Sequence, residues 1–560
     1  MAFLKKFAVK INIQTVLVAL CILAVCVGTQ QMQTVAWNAW TFSLSRDSLG
    51  VLMAVILFTH YKWSDFKKYK IPYIIWSIAG LLACIIIVPI AFERRSGYLK
   101  ADTVVIAAGI FLMGYCVIHT FISFFIEKHR PKFYLPLLII WIVMMVLMIF
   151  SRSDYLWPEC YFVLFLCYYL TPQTPEQRRN VTTGLIDGMI LGFILIQGHS
   201  LLCRPYDRLY YQGNFCNANQ NSTFLCMCLG AILAKILLVT REQKKKAVRI
   251  FYFLLAGSCC AFIFMTACRS GYIATFVVML LFLIAYCRIR EKKVFFRMGV
   301  LMISLFMAML PVTYLAVRYI PTIHPHVLFY FQEGYSENWV HPWDARDSEK
   351  FITFEQMVKG ALGRVDHLMN LVFHYNEQNE QSKTSDSEES AFLPAASDAD
   401  YISSADVSDY AEETDPNKIP ILADDVGESN TILIRYIIYR WYFTHLSLRG
   451  SPFDEQGFRL SKDHWIQNTH NIYLDYGINF GYPVMILFTV FIWWGIGRLY
   501  RQGCKKRDVE QLICLLIAVI PPVFGMFEFA WGTGMIATVS FYMAFKEMFT
   551  VSQDDFSINK

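Results

Sequence analysis

Three side chains of this sequence sit where their charge is costly or their chemistry accessible. Arg269, in "FMTACRSGYIATF", falls at the boundary between two otherwise uncharged apolar runs. An unpaired guanidinium near hydrocarbon costs from about 2.5 kcal/mol upward, so such a residue is usually functional or solvated in a polar cavity. Arg435 lies in "NTILIRYIIYRWYFTHLSLR" together with Arg440 and His445. His470 stands in "NTHNIYLDYGINFGYP", where a polar stretch meets the next apolar run. Arginine presents a planar, permanently charged fork to oxyanions. Histidine, with an ordinary pKa of about 6.5, accepts a proton at neutral pH. Anion binding joined to proton abstraction is therefore the chemistry on offer. The plainer alternatives are arginines that snorkel to lipid headgroups and a histidine that only caps a helix.

The elements that must position these residues are membrane helices. Of 560 residues, 56% are apolar and only 17% charged, too greasy for an ordinary soluble chain. Apolar runs long enough to cross about 30 Å of hydrocarbon recur along the sequence. They predict an all-α, polytopic fold with about fourteen spans, near 11–29, 42–60, 71–92, 102–126, 133–150, 157–171, 181–203, 219–239, 249–268, 271–289, 295–318, 472–499, 508–527 and 530–548. The first run follows Lys5, Lys6 and Lys10 and lacks a small-residue cleavage pattern, which reads as an uncleaved helix. Lys and Arg collect in "HYKWSDFKKYK", "EKHRPK", "TPEQRRN", "TREQKKKAVR", "CRIREKKVFFR" and "RLYRQGCKKR", all on one side if both termini are cytoplasmic. The loop "ERRSGYLK" dissents.

The chain then divides into a helical region over 1–318, an extracytoplasmic loop over 319–470, and C-terminal spans over 471–560. Within the loop, 377–428 carries fifteen Asp or Glu against two Lys and reads as a disordered acidic insert. Its "DAD" at 398–400 is a chance match to metal-holding aspartates. Residues 430–449 read as a helix on the outer surface, since a further span would invert the charge pattern. Most of the sixteen cysteines lie inside apolar runs, and no Cys/His spacing suggests a metal. Only Cys160, Cys203 and Cys216 fall near the outer face, and nothing in the sequence supports a Cys203–Cys216 bridge. His119, Arg46 and Asp187 read as packing or polar-network residues. The net charge of +6 comes from the inside loops and carries no nucleic-acid signal.

Thr266 with Arg269-Ser270-Gly271, Arg435 with Tyr439, and the "HNIYLDYGINFG" element of His470, Asn471, Leu474, Gly477 and Gly481 together resemble the O-antigen ligase and polysaccharide polymerase family. The Gly/Asn-rich "YYQGNFCNANQNS", with Gly213, Asn214 and Asn217, adds to the likeness, which covers about residues 200 to 500. Tyr439 stands where an indole is commoner, and fourteen spans exceed the family's dozen. The resemblance implies a GT-C-like glycosyltransferase of the bacterial cytoplasmic membrane. Its donor would be a glycan on a polyprenyl diphosphate and its acceptor a sugar hydroxyl of a glycan or glycolipid. It implies Arg269 and Arg435 as diphosphate ligands, in place of a metal or other cofactor, and His470 as base or acceptor positioner. Arg204, Arg208, Arg440 and Asn471 are auxiliary candidates, and Glu528 in "FGMFEFAWG" a candidate second base. Gly477 and Gly481, four apart on the expected helix, would allow close packing. A lipid-linked glycan exporter is the rival, though the chain shows neither repeated halves nor a dense set of midplane charges. Ligase and polymerase are not distinguished.

Overall fold

The structure, a computed structural model, describes residues 12–29, 48–96, 101–129, 133–153, 157–203, 210–215, 217–290, 294–323, 353–374, 431–452, 456–459, 465–466, 469–506, 508–528 and 535–549. The expected acidic insert, its "DAD", Arg46, Arg204, Arg208 and Cys216 lie outside these residues. The described chain is helical apart from an antiparallel ribbon of β1 (Phe458–Arg459) and β2 (Trp465–Ile466). Seven helices are long and apolar enough to cross a membrane, and five shorter apolar ones accompany them. Helices suit such runs because every backbone group is then satisfied within the segment, with no water required.

The N-terminal helices are α1 (Ile13–Thr29), α2 (Leu49–Phe58), α3 (Trp63–Lys68), α4 (Lys70–Ser96), α5 (Ala101–Phe121), α6 (Leu135–Ile149) and α7 (Trp157–Leu170). Here His119 packs as expected: its ring lies against Tyr61 and Phe66, and its Nδ1 is 2.9 Å from the Tyr73 hydroxyl. The central helices are α8 (Pro175–Cys203), α9 (Ala218–Arg241), α10 (Lys246–Met265), α11 (Arg269–Arg290) and α12 (Phe295–Ile323). Helix α9 is buried almost end to end. Its Cys226, Cys228, Gly230, Ala231 and Ala234 keep the surface narrow, so α8, α10 and α11 approach closely. Close packing matters because lipid is as apolar as leucine and offers no other drive for helices to associate. Asp187 on α8 pairs with Lys235 of α9 at 2.6 Å, so each charge meets its opposite inside the bundle.

After α13 (Phe354–His374) and α14 (Thr431–Thr444) come α15 (Ile472–Phe480), α16 (Tyr482–Lys506), α17 (Val509–Ala518), α18 (Ile520–Phe524) and α19 (Ile536–Phe549). At about 1.5 Å per residue α14 is about 21 Å long, short of a bilayer core. It packs Ile438, Trp441 and Tyr442 against Leu474 and Ile478 instead. The expected single span over 472–499 is corrected: it breaks at Gly481, whose φ is +98°. A side chain there would meet the Leu448 carbonyl at 2.2 Å. Thus Gly477 and Gly481 do not share a helix. The α15 arm folds back on α16, with the Tyr476 ring stacked on Phe488 at 3.9 Å. Hydropathy is blind to such a reversal, because both arms are apolar. His470 consequently sits at the tip of a short arm laid against the bundle.

Candidate active site

Glu528, just beyond α18, is buried and is the point on which the site converges. Its Oε1 receives the Arg435 guanidinium and the Asn219 amide, the latter at 2.8 Å. His470 Nδ1 lies 3.2 Å from Oε2. Burial pushes the Glu528 carboxyl up, but the His470 hydrogen bond and the Arg435 charge outweigh it and hold the group below its ordinary value. Burial likewise opposes the Arg435 charge, and Glu528 more than offsets that, so the guanidinium is held above its ordinary value. Glu528 is thus a fixed carboxylate and a weaker base than an isolated one. By accepting from Nδ1 it selects the tautomer in which Nε2 is the basic nitrogen.

Local sequence explains how these groups are held. The Asn471 side chain accepts from Tyr473 N and Leu474 N at 3.0 and 3.1 Å, capping α15. Its amide donates to the Met526 carbonyl at 2.9 Å, tying the cap to the Glu528 turn. Tyr439, one helical turn after Arg435 on α14, brings its hydroxyl within 3.1 Å of the carbonyls of both His470 and Met526. His470 itself has φ +48°, a left-handed conformation that costs a non-glycine residue about 1–2 kcal/mol. The surrounding bonds hold it there and set the imidazole against Glu528.

Arg269 begins α11. Gly271, two residues later, lets α11 close on α9, since a Cβ there would lie 2.0 Å from Ser222 Oγ. Before it, Thr266 Oγ1 donates to the Ile263 carbonyl at 2.7 Å and Ala267 turns with φ +50°. In this position Arg269 feels the charges of Arg435 and of Arg364 on α13. The N-termini of α9, α11 and α15 all reach this end of the bundle, through Asn219, Arg269 and Asn471. A helix N-terminus carries about half a positive charge. Arg269 at the start of α11 therefore opposes the local dipole, a conflict of the kind that an anion relieves.

Of the expected residues, Arg269, Arg435, His470, Asn471 and Glu528 are brought together. Arg440 is not. It lies about 140° round α14 from Arg435, at 100° per residue, and is exposed. Arg204 and Arg208 fall outside the described residues. Sequence reasoning missed Arg364 and Asn219. Arg364 continues the buried stripe of Met357 and Ala361, a spacing readable in the sequence. Asn219 follows the cap residue Asn217 by two places and carried no signal of its own.

A groove of about 480 Å³ adjoins the cluster and shares Asn471 and Met526 with it. Its remaining lining includes Tyr473, Leu474, Met485, Ile486, Val490 and Trp493, and Ile486 and Val490 are exposed on its flank. Comparison with models of protein families, with curated proteins and with solved structures finds no match to this chain.

Proposed function

We propose that this chain is a membrane glycosyltransferase that moves a preassembled glycan from a polyprenyl diphosphate to a sugar hydroxyl, in the manner of O-antigen ligases and polysaccharide polymerases. In this reading about fourteen segments span the bacterial cytoplasmic membrane, both termini are cytoplasmic, and the Glu528 end faces outward. The observation that carries it is the meeting of Arg435 and His470 on one buried carboxylate, with Arg269 within reach of the Arg435 charge. The bond between the sugar anomeric carbon and the phosphate oxygen breaks, and its electron pair stays with the departing polyprenyl diphosphate. Fixed guanidinium groups stabilise the charge that grows there. The acceptor oxygen bonds to the anomeric carbon, and its proton passes to His470 Nε2 while Glu528 holds Nδ1. The apolar groove beside Asn471 suits the first isoprene units of the carrier. All of this uses side chains of the protein.

The test is transfer by purified protein given a polyprenyl-diphosphate glycan and candidate acceptors, with and without EDTA. The expected outcome is glycosylated acceptor and free polyprenyl diphosphate at equal rates in both conditions. An intact donor with every acceptor, from protein that is folded and monodisperse, would overturn the reading. The acceptor that reacts separates ligase from polymerase.

A further inference from the structure

Resting on the glycan-transfer reading, we propose that Asn219 is a positioning residue of the site: reaching in from α9, it fixes the plane of the Glu528 carboxylate and, through it, the bearing of the His470 imidazole. The Glu528 carboxylate takes its partners from three elements. Arg435 belongs to the short helix α14 and His470 to the tip of the α15 arm. Asn219 stands on one of the long apolar helices, from which its amide donates to Oε1 at 2.8 Å. The first turn of α9 is firmly placed. Asn217 caps it by accepting from Gln220 N at 2.8 Å. Asn221, fully buried, donates to the Tyr211 carbonyl and accepts from the Gln197 amide, both at 3.3 Å, which ties the turn to α8. Thr223 Oγ1 donates to the Asn219 carbonyl at 2.9 Å. Asn219 therefore holds the carboxylate from a fixed point of the bundle.

A carboxylate turns easily, because the torsion that rotates its plane is broad and nearly two-fold. An arginine fork would stop that motion by bonding both oxygens at once. Arg435 does not do so: one terminal nitrogen donates to Oε1 and the other to the Phe527 carbonyl. His470 Nδ1 meets Oε2 at 3.2 Å, but it is the group to be positioned and cannot serve as its own anchor. Asn219 and Arg435 share Oε1 from different elements, and two donors on one oxygen set where the other oxygen points. Oε2 is thereby aimed at His470. Because Asn219 reaches His470 only through Glu528, it orients the base and takes no part in the chemistry. Its amide is also neutral, so its loss leaves the Arg435–Glu528 ion pair in place and the fold should survive.

The experiment follows transfer by full-length protein in lipid nanodiscs, from a polyprenyl-diphosphate glycan to the acceptor on which the wild type is active. Asn219→Leu, close in shape but without the amide, should lower kcat about tenfold, leave both KM values within about twofold and melt near the wild type. Asn219→Gln, which keeps a donor, should recover most of the rate. In the Glu528→Gln background Asn219→Leu should add nothing, since its effect passes through the carboxylate. Wild-type turnover in Asn219→Leu, a loss confined to KM, or a loss that multiplies with that of Glu528→Gln would overturn the assignment and leave the transferase reading standing. Asn219→Asp keeps the shape and puts an acceptor where the donor was, so it should slow turnover at least as much. Rates that fall only in step with melting temperature in both Asn219→Leu and Asn219→Asp would make Asn219 structural and also overturn the assignment. No transfer by folded wild type would overturn the reading and the assignment together.

Discussion

The two ends of this helical bundle carry similar charged side chains and arrange them in opposite ways. At the end away from Glu528, Arg178 pairs with Glu547 at 2.6 Å and with Asp508 at 3.3 Å. Asp508 caps the N-terminus of α17 through Glu510 N at 3.0 Å, and Lys546 donates to the Tyr168 and Thr171 carbonyls at the C-terminal end of α7, both at 2.7 Å. Asp508 at a helix start and Lys546 at a helix finish sit as the backbone dipoles favour, while Arg178 in the first turn of α8 and Glu547 in the last turn of α19 sit against them and are paired with each other. Among the described residues of that cluster two cations face two anions. At the Glu528 end Arg435 and His470 meet on one carboxylate, Arg269 opens a helix, and His470 adopts φ +48°. Charges that satisfy one another hold a fold together. Strained backbone beside a charged cluster is more characteristic of a working site.

The largest difference between the ends should appear in turnover. His470→Ala is expected to slow glycan transfer by about 10² to 10⁴ while the protein melts near the wild-type temperature. An equal fall in melting temperature and rate would make His470 a structural residue like those at the other end. Next in size, Arg435→Ala leaves the buried Glu528 carboxylate without its guanidinium, held by Asn219 and His470 alone, which should cost about 3–5 kcal/mol. Arg178→Ala strips the Glu547 pair, whose two side chains are about as buried as Arg435 and Glu528, so a similar loss of about 3–5 kcal/mol is expected, with turnover of the folded fraction unchanged. A change in that turnover would show the ends to be coupled.

Acid should separate the ends more gently. The folded-state value of Glu528 is depressed below the ordinary 4.5, so its pairing contributes stability above that pH and loses it as pH falls through the depressed value. Raising the pH from 5 to 7 should therefore leave the Glu528 contribution unchanged, and that contribution should be lost only below about pH 4.5. The Glu528→Gln variant, lacking that term, should show a flatter acid limb; an identical limb would remove Glu528 from the clamp. Smallest of all, Asp508→Ala removes an N-cap and should lower stability by about 1 kcal/mol without touching transfer.

Much of this was legible beforehand where one residue carries its own signal. Arg269 is conspicuous because nothing around it is charged, and His470 because a polar cluster precedes an apolar run. The helical character follows from the apolar runs themselves. Other features depend on distant partners. The break at Gly481 arises from the close approach of Leu448 and Gly450 to the turn, contacts that hydropathy does not encode. The partner of Glu528, Arg435, stands 93 positions away, so the pair is invisible to local sequence. Arg364 belongs to an amphipathic stretch whose buried face was readable, yet its place in the site depends on Tyr210, 154 positions earlier.

The claim at the centre of this account is that the Glu528 end of the bundle receives the carrier's diphosphate. The most direct measurement is a structure of the protein in a lipid nanodisc with a non-transferable polyprenyl-diphosphate glycan bound. The account predicts phosphate oxygens within hydrogen-bonding distance of Arg269 and Arg435, with the sugar's anomeric carbon on the His470 side. Phosphates at the Arg178 end, or bound with Arg269 and Arg435 both turned away from them, would contradict it.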